Sequence, residues 1–431
     1  MIESWEMTVL SGIFSETPIN RNAIPQAILD IEDKQRVNPL PWKGQFSPQF
    51  IEALLGNFSK KGSVVFDPFL GSGTVLLEAG RIGLSAYGTE INPAAITLAK
   101  TYSFINVPKD LRLKYTQTFL QTVSNCIQTT TPLFQNGKNV SLPGTNELKE
   151  KLLGIVNDAE DELALTLCES FIVLLDFYRA NTTSGRAIGV AKTIAHFINQ
   201  LPYSEEPMKI FHSDARKVPL KESCVDLVIT SPPYINVFNY HQQYRTSTEA
   251  LNWKLLEVAK SEFGANRKYR SNRFLTVVQY CLDMALTFQE LLRICKLESH
   301  MIFVVGRESN VRKTRFFNGE LVTEVAHKSC GLNLELRQER KFVNRFGQTI
   351  WEEILHFVEN GKTSQPLSLE GAREVAVDSL EFMYKIASDD VKADIKDAIE
   401  KASSIKPSPI YDKARSRKLL PQLNAGVVKH V

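Results

Sequence analysis

Short apolar runs that stop at a polar or acidic residue alternate along much of the chain with segments whose apolar positions recur at helical spacing. "SVVFDPF" (Ser63 to Phe69) predicts a buried strand, and "GTVLLEAGRIG" (Gly73 to Gly83) the helix that follows it. "SAYGTEINP" (Ser85 to Pro93) predicts a second strand ending at an acid, "MKIFHSDARKVPL" (Met208 to Leu220) a third and "SCVDLVITSPPY" a fourth. After a helical stretch from Phe274 to Lys296, "HMIFVVGRE" (His300 to Glu308) predicts a fifth strand. "LELRQERKFVNRFG" and "TIWEEILHFVEN" then read as a closing antiparallel pair. Strands alternating with helices imply an α/β fold built on a largely parallel sheet.

Two regions break that rhythm. Between the second and third strands, residues 101–206 join a polar stretch, "QTTTPLFQNGKNVSLPGTN", to an apolar helix candidate, "ELALTLCESFIVLLDFYRAN". They are expected to form a helical insertion packed on the core. A second polar boundary, "NGKTSQPLS" (Asn360 to Ser368), precedes a charged helical tail over 361–431 that carries the basic "YDKARSRK". The expected organisation is therefore an N-terminal arm (1–40), a catalytic core (41–100 and 207–360), the insertion and the tail.

The first chemical signal is a glycine turn. "FDPFLGSGTVLLEAG" places Gly71 and Gly73 where the first strand meets its helix, and glycine permits positive φ and close approach of a ligand to the backbone. Seventeen residues past Gly73, Glu90 ends the second strand, where a carboxylate can accept from both hydroxyls of a ribose. No Gly-Lys-Ser/Thr follows, and the full dinucleotide fingerprint is missing. A nucleoside cofactor is the expectation. Asp67, at the mouth of the turn, could bind an ammonium group or merely cap the turn. Asp214, ending the third strand at the same edge, could accept from an adenine amine or serve as a turn former.

The fourth strand delivers Ser231-Pro232-Pro233-Tyr234 to that edge. Two prolines donate no backbone hydrogen bond and fix their own φ, so the Ser231 hydroxyl and the carbonyls of Ser231 and Pro232 are left as acceptors. Tyr234 supplies a ring for stacking. Such a loop suits holding an exocyclic NH₂ group in plane. The following "NVFNYHQQYR" (Asn236 to Arg245) is rich in amide and aromatic groups suited to base contact, although Phe238 and Tyr240 are equally compatible with core positions.

"DPFLGSGT", "GTEINP" and "TSPPY" together resemble the motif set of the DNA methyltransferases that modify exocyclic amines, N4 of cytosine or N6 of adenine. The resemblance implies the class I, Rossmann-like methyltransferase fold, with seven strands and a reversed last strand, and S-adenosylmethionine (SAM) as methyl donor. It implies that Asp67, Gly71, Gly73 and Thr74 line the methionine end of SAM, that Glu90, with Asn92 beside it, holds the ribose, and that Asp214 lies near the adenine. "PWKGQFSPQFIEALL" (Pro41 to Leu55) is similar to the family's upstream cofactor segment, with Lys43 and Phe46 as contacts. Ser231 to Tyr234 would hold the target base. Serine at the head of the tetrapeptide resembles the cytosine-N4 members more often, whereas the glycine motif preceding the Ser-Pro-Pro-Tyr motif departs from many of them. Adenine N6, an RNA or protein amine, and a non-catalytic SAM- or DNA-binding subunit are the alternatives. A nucleotide-dependent oxidoreductase is poorly served by the Ser-Pro-Pro-Tyr loop.

Charge adds a partner. From Ile235 to Ile350 there are 18 Lys and Arg against 11 Asp and Glu, within a chain of net charge +3. "NRKYRSNRF", "RESNVRKTRFF" and "RQERKFVNRF" interleave arginine with aromatics, a composition suited to phosphate contact and base stacking or to a solvated face. Arg267, Lys268, Arg270, Arg273, Arg312, Lys313 and Arg315 are the candidate DNA contacts. The six cysteines form no Cys-x-x-Cys pair, so no metal site is expected. No apolar run reaches a membrane span and no secretion signal opens the chain, so the expected place is the cytoplasm, at the nucleoid. A cognate restriction endonuclease is the expected functional partner.

Overall fold

The computed structural model describes residues 10, 12–128, 145–177, 181–235, 240–264, 269–344, 346–359, 361 and 367–417. Its strands are β1 (Val64–Asp67), β2 (Ser85–Thr89), β3 (Met208–Phe211), β4 (Val225–Thr230), β5 (Cys295–Gly306), β6 (Glu308–Val311), β7 (Thr314–Phe317), β8 (Leu334–Val343) and β9 (Thr349–Val358). Seven of them form one sheet in the order β3-β2-β1-β4-β5-β9-β8, and β6 and β7 pair separately as a hairpin. β1 to β5 pair in parallel, and β9 runs antiparallel to both neighbours. The result is the class I methyltransferase fold, with the last strand in the chain as the reversed one.

Period-two alternation lets the central strands feed two cores at once. Val65, Leu227, Ile229, Ile302 and Val304 face one apolar cluster, whereas Phe66, Val228, Met301, Phe303 and Val305 face the other. Both faces are covered, as a parallel sheet requires. The first is packed by helices Pro48–Phe58, Thr74–Arg81 and Pro93–Lys100 and by helices of the 101–206 region, the longest being Lys109–Gln128. The second is packed by Leu275–Ile294, Asn318–Cys330, Leu369–Ile386 and Asp389–Lys401.

The expected elements are present with shifted ends. β5 begins at Cys295, five residues before the apolar run, through a stretch in which Leu297 and Glu298 are exposed and break the apolar pattern. The β6–β7 hairpin and helix Asn318–Cys330 occupy a stretch whose basic residues obscured its pattern. Beyond Ala402 the chain returns across the core as far as Arg417, the last described residue, with an isolated bridge between Trp253 and Arg417. Of "YDKARSRK", only Lys418 lies outside the described residues.

Candidate active site

The carboxyl ends of β1, β2, β3 and β4 open into one cleft enclosing ≈ 950 Å³ of empty space, part of it open to solvent. This is the edge at which open α/β sheets bind ligands. Asp67, Phe69, Gly71, Thr74, Glu90, Asn92, Asp214, Ser231 and Pro233 all line it, as do Lys43 and Phe46 from the upstream segment.

That upstream segment is fastened from both sides. Lys43 N donates to Gln243 (3.2 Å), Tyr244 OH donates to the Pro41 carbonyl (2.9 Å), and Ser72 Oγ donates to Gln45 (2.9 Å). Trp42 stacks with Tyr244 at 6.4 Å between ring centroids and forms part of the cleft wall.

The two strand-end carboxylates are fixed by backbone amides. Glu90 Oε2 accepts from Gly71 N (2.9 Å) and Oε1 from Asn92 N (2.8 Å). Asp67 Oδ1 accepts from Thr230 Oγ1 (2.6 Å) and Phe69 N (3.0 Å). Burial outweighs these hydrogen bonds and raises both carboxyls to about 7, and the Glu90 charge adds to the upward push on Asp67.

The glycines divide the work. Gly71 lines the cleft at φ +53°. Gly73 does not line it: at φ +94°, a Cβ there would meet the Tyr102 ring at 2.7 Å. Its role is to let the turn pack against Tyr102, which corrects the cofactor contact expected for it.

Asp214 also departs from expectation. Its Oδ1 accepts from Arg216 N (3.0 Å) and Nε (2.8 Å), and Oδ2 from Arg216 Nη2 (2.7 Å) and Tyr411 N (2.9 Å). Arg216 is shared with Asp283 (2.6 Å), whose carboxylate also holds Ser408. The Asp214 carboxylate is thus filled by the protein and is not an open acceptor for an adenine amine.

In the Ser-Pro-Pro-Tyr loop, Ser231 and Pro233 face the cleft, but Pro232 and Tyr234 are not part of its wall. Pro232 is buried. The Tyr234 ring lies over Gly306 of β5, where a Cβ would come within 3.2 Å, and its hydroxyl sits 3.1 Å from Ser231 Oγ. The ring expected to stack on a base is instead folded against the strand. Tyr240 lines the cleft, while Asn236 and Phe238 lie outside the described residues.

Glu262 and Phe263 also line the cleft and carried no sequence signal, since "SEFG" belongs to no periodic run. Gly264 carries them in: at φ +58°, its Cα packs so closely that a Cβ would meet the Tyr234 carbonyl at 2.9 Å. Three lining groups have buried atoms without a hydrogen-bond partner, namely Asn92 Nδ2, Ser213 Oγ and Glu262 Oε1. Unsatisfied buried polar atoms are costly, and three converging on one cleft fit a polar ligand. Four carboxylates (Asp67, Glu90, Asp214, Glu262) face one lysine, Lys43, in the lining. That balance suits a cationic nucleoside such as SAM and disfavours a phosphate-bearing one.

The basic residues scatter. Arg267 and Lys268 lie outside the described residues; Arg270 is exposed and Arg273 half-buried. In the β6–β7 hairpin Arg312 pairs with Asp394, Arg315 lies 3.8 Å from Glu308, and Lys313 is exposed. Arg337 and Arg340 pair with Glu353 and Glu352 and lie over the rings of Phe14 and Phe50. They brace the sheet edge and are not available to phosphates. Beyond them the β8–β9 hairpin overshoots the end of β5 and exposes Val343 (67%) and Phe346 (71%) at its tip.

No group of His, Cys, Asp and Glu among the described residues could hold a metal ion, and no described helix is long and apolar enough to cross a membrane.

Residues 11–101 match the family model described as DNA methylase. The chain is 23% identical over 368 residues to the Type II methyltransferase M.MvaI of Kocuria varians, covering 65% of this chain and 78% of that protein. It is 37% identical over 60 residues to the Type II methyltransferase M.MjaII of Methanocaldococcus jannaschii, and 36% over 69 residues to M.BsoBI of Geobacillus stearothermophilus. Those two matches cover 14% and 16% of this chain, and 11% and 14% of the relatives' own lengths. Among solved structures, a SAM-dependent methyltransferase of Methanosarcina mazei aligns with a TM-score of 0.33 at 11% identity, covering 71% of this chain and 97% of that one. A glycine turn, an acidic strand end and a Ser-Pro-Pro-Tyr loop meet in one cleft, and the chain is similar to DNA methyltransferases over the segments given.

Proposed function

We propose that the protein transfers a methyl group from SAM to an exocyclic amine of a base in DNA, with cytosine N4 favoured over adenine N6. The observation that carries this reading is the shared cleft: Ser231 and Pro233 line the same space as Asp67, Gly71 and Glu90. An amine held by the first pair therefore lies beside a cofactor held by the second set.

When bound, SAM supplies the electrophilic methyl carbon on its sulfonium. Glu90, its carboxylate oriented by the backbone amides of Gly71, Ile91 and Asn92, offers its remaining acceptor capacity to the ribose hydroxyls. Asp67 and Gly71 take the amino-acid end, with Lys43 at the cleft wall. Ser231 Oγ accepts a hydrogen bond from the target amine and donates one to Tyr234 OH, 3.1 Å away, keeping its own proton, while the amine proton leaves to solvent after the methyl arrives. Electron density then concentrates on nitrogen as it attacks. Alignment contributes most, since oriented reactants reach effective molarities of about 10⁵–10⁸ M.

A base must leave the duplex to reach this cleft, at a cost of a few kcal/mol. The exposed hairpin tip at Val343 and Phe346 lies at the same edge of the sheet as the Ser-Pro-Pro-Tyr loop and suits an apolar wedge between bases. Serine at position 231 supports cytosine N4. On this reading the protein works on cytoplasmic DNA, and a restriction endonuclease of the same specificity is its functional counterpart.

The test is to incubate the protein with isotope-labelled SAM and mixed-sequence duplex DNA and identify the labelled nucleosides by mass spectrometry. N4-methylcytosine is expected. N6-methyladenine would overturn the base assignment, and the absence of label in DNA would overturn the substrate class.

A further inference from the structure

The saturation of Asp214 leaves a gap in the cofactor site. A nucleoside lying between Ile91 and Ala215 presents hydrogen-bond donors, yet the Asp214 carboxylate accepts four from Arg216 and Tyr411. The same cleft holds another carboxylate in the opposite condition. Glu262 is 8% exposed, lines the cleft, and has a buried Oε1 with no hydrogen-bond partner.

Its geometry is fixed. Glu262 Oε2 lies 2.8 Å from His241 Nδ1, and the imidazole is itself buried, with Nε2 unpartnered. Its sole ion pair among the described residues is with His241, so no Lys or Arg neutralises the free oxygen. The next residue ties this group to the Asp214 end: Phe263 packs edge-on to Phe69 at 5.3 Å and lies under the Arg216 guanidinium at 4.7 Å. The backbone here is held against the Tyr234 carbonyl through Gly264.

A buried carboxylate oxygen without a partner costs free energy unless a ligand donates to it. We infer that Glu262, oriented by His241, accepts a hydrogen bond from the nucleoside of the bound cofactor, replacing Asp214 as its side-chain acceptor. The inference rests on the cofactor reading above. The donor is either the exocyclic amine of the adenine or a ribose hydroxyl, and the two are separable by ligand analogues.

The experiment measures, by calorimetry on the full chain, the affinity of wild type, Glu262→Ala and Glu262→Gln for S-adenosylhomocysteine, for its analogue lacking the adenine amine, and for its 2′-deoxy and 3′-deoxy analogues. Wild type is expected to lose affinity on each deoxy analogue through Glu90, and about tenfold on the analogue that lacks the donor to Glu262. Glu262→Ala is expected to lose about tenfold for the parent ligand and nothing further on that same analogue. Glu262→Gln, which keeps an acceptor and the His241 contact, should recover most of the affinity. The analogue that shows the coupling identifies the donor. Equal losses for Glu262→Ala across every ligand, or no loss at all, would overturn the inference while leaving the cofactor reading intact. Failure of folded wild type to bind any of the ligands would overturn both.

Discussion

At the scale of single residues, the cleft concentrates charge that the protein pays for in stability. Asp67 is 1% exposed, and its carboxyl is raised to about 7 by burial. A carboxyl raised in the folded state and ordinary in the unfolded state adds nothing below about pH 4 and costs progressively more up to about pH 7. Asp67→Asn keeps the acceptor for Thr230 and Phe69. It should stabilise the ligand-free protein by about 1–3 kcal/mol at pH 8, with the gain gone by pH 4, and it should weaken SAM. Denaturant melts at the two pH values check this; equal gains at both would refute the assignment. The same sign governs binding. Glu90 is also raised to about 7 by burial, and ribose hydroxyls and a sulfonium prefer carboxylates that are ionised. SAM affinity should therefore rise between pH 6 and pH 8, by up to about tenfold per unit for each group that must ionise, and flatten above. Titration calorimetry would show a flat profile if neither acid contacts the ligand.

The place of Asp67, Gly71 and Glu90 at the cleft was legible in the sequence because strand ends and glycine turns have local signatures. Asp214 misled because its partners, Arg216 and Tyr411, come from two residues and 197 residues away. Local sequence shows that a carboxylate is present and conceals who has already claimed it. Glu262 was illegible for the converse reason: its setting depends on His241 and on a loop with no periodicity.

At the scale of elements, the two glycines of the first turn should fail differently. Gly73→Ala sets a Cβ 2.7 Å from Tyr102 at a left-handed φ. It should destabilise the fold by about 2–4 kcal/mol while folded molecules still bind SAM. Gly71→Ala carries the backbone cost of φ +53° but meets no atom closer than Trp42 at 3.5 Å, a normal contact, and its position lines the cleft. Its larger effect should be on SAM affinity. Melts and calorimetry on both variants separate the two outcomes, and matching profiles would contradict the division. The β8–β9 hairpin makes a further element-level case. Phe346→Asp at its exposed tip should lower duplex affinity severalfold, leaving SAM affinity unchanged, as read by gel shift and calorimetry. An unchanged gel shift would remove the hairpin from the DNA face.

At the scale of the whole molecule, the alternation of strands and helices was enough to foresee a parallel sheet with an antiparallel end, since each strand carries its own apolar run. What it could not show is how charge distributes in space. Eleven arginines between Ile235 and Ile350 look like a nucleic-acid surface in the sequence. In the structure Arg307, Arg337 and Arg340 of that stretch are consumed by carboxylates and aromatic rings that join distant segments. The tail behaves likewise: Ser408, Pro409 and Tyr411 close on Arg216 and Asp214 behind the cofactor end of the cleft.

The cleft's two halves carry the central claim, that one binds cofactor and the other presents the amine. It is tested most directly by measuring SAM affinity and single-turnover methyl transfer to duplex DNA in wild type, Glu90→Ala and Ser231→Ala. The account predicts that Glu90→Ala loses SAM affinity, whereas Ser231→Ala binds SAM nearly as wild type does and transfers at least tenfold more slowly. Equal losses of SAM affinity in the two variants, or a Ser231→Ala protein that transfers at the wild-type rate, would contradict it.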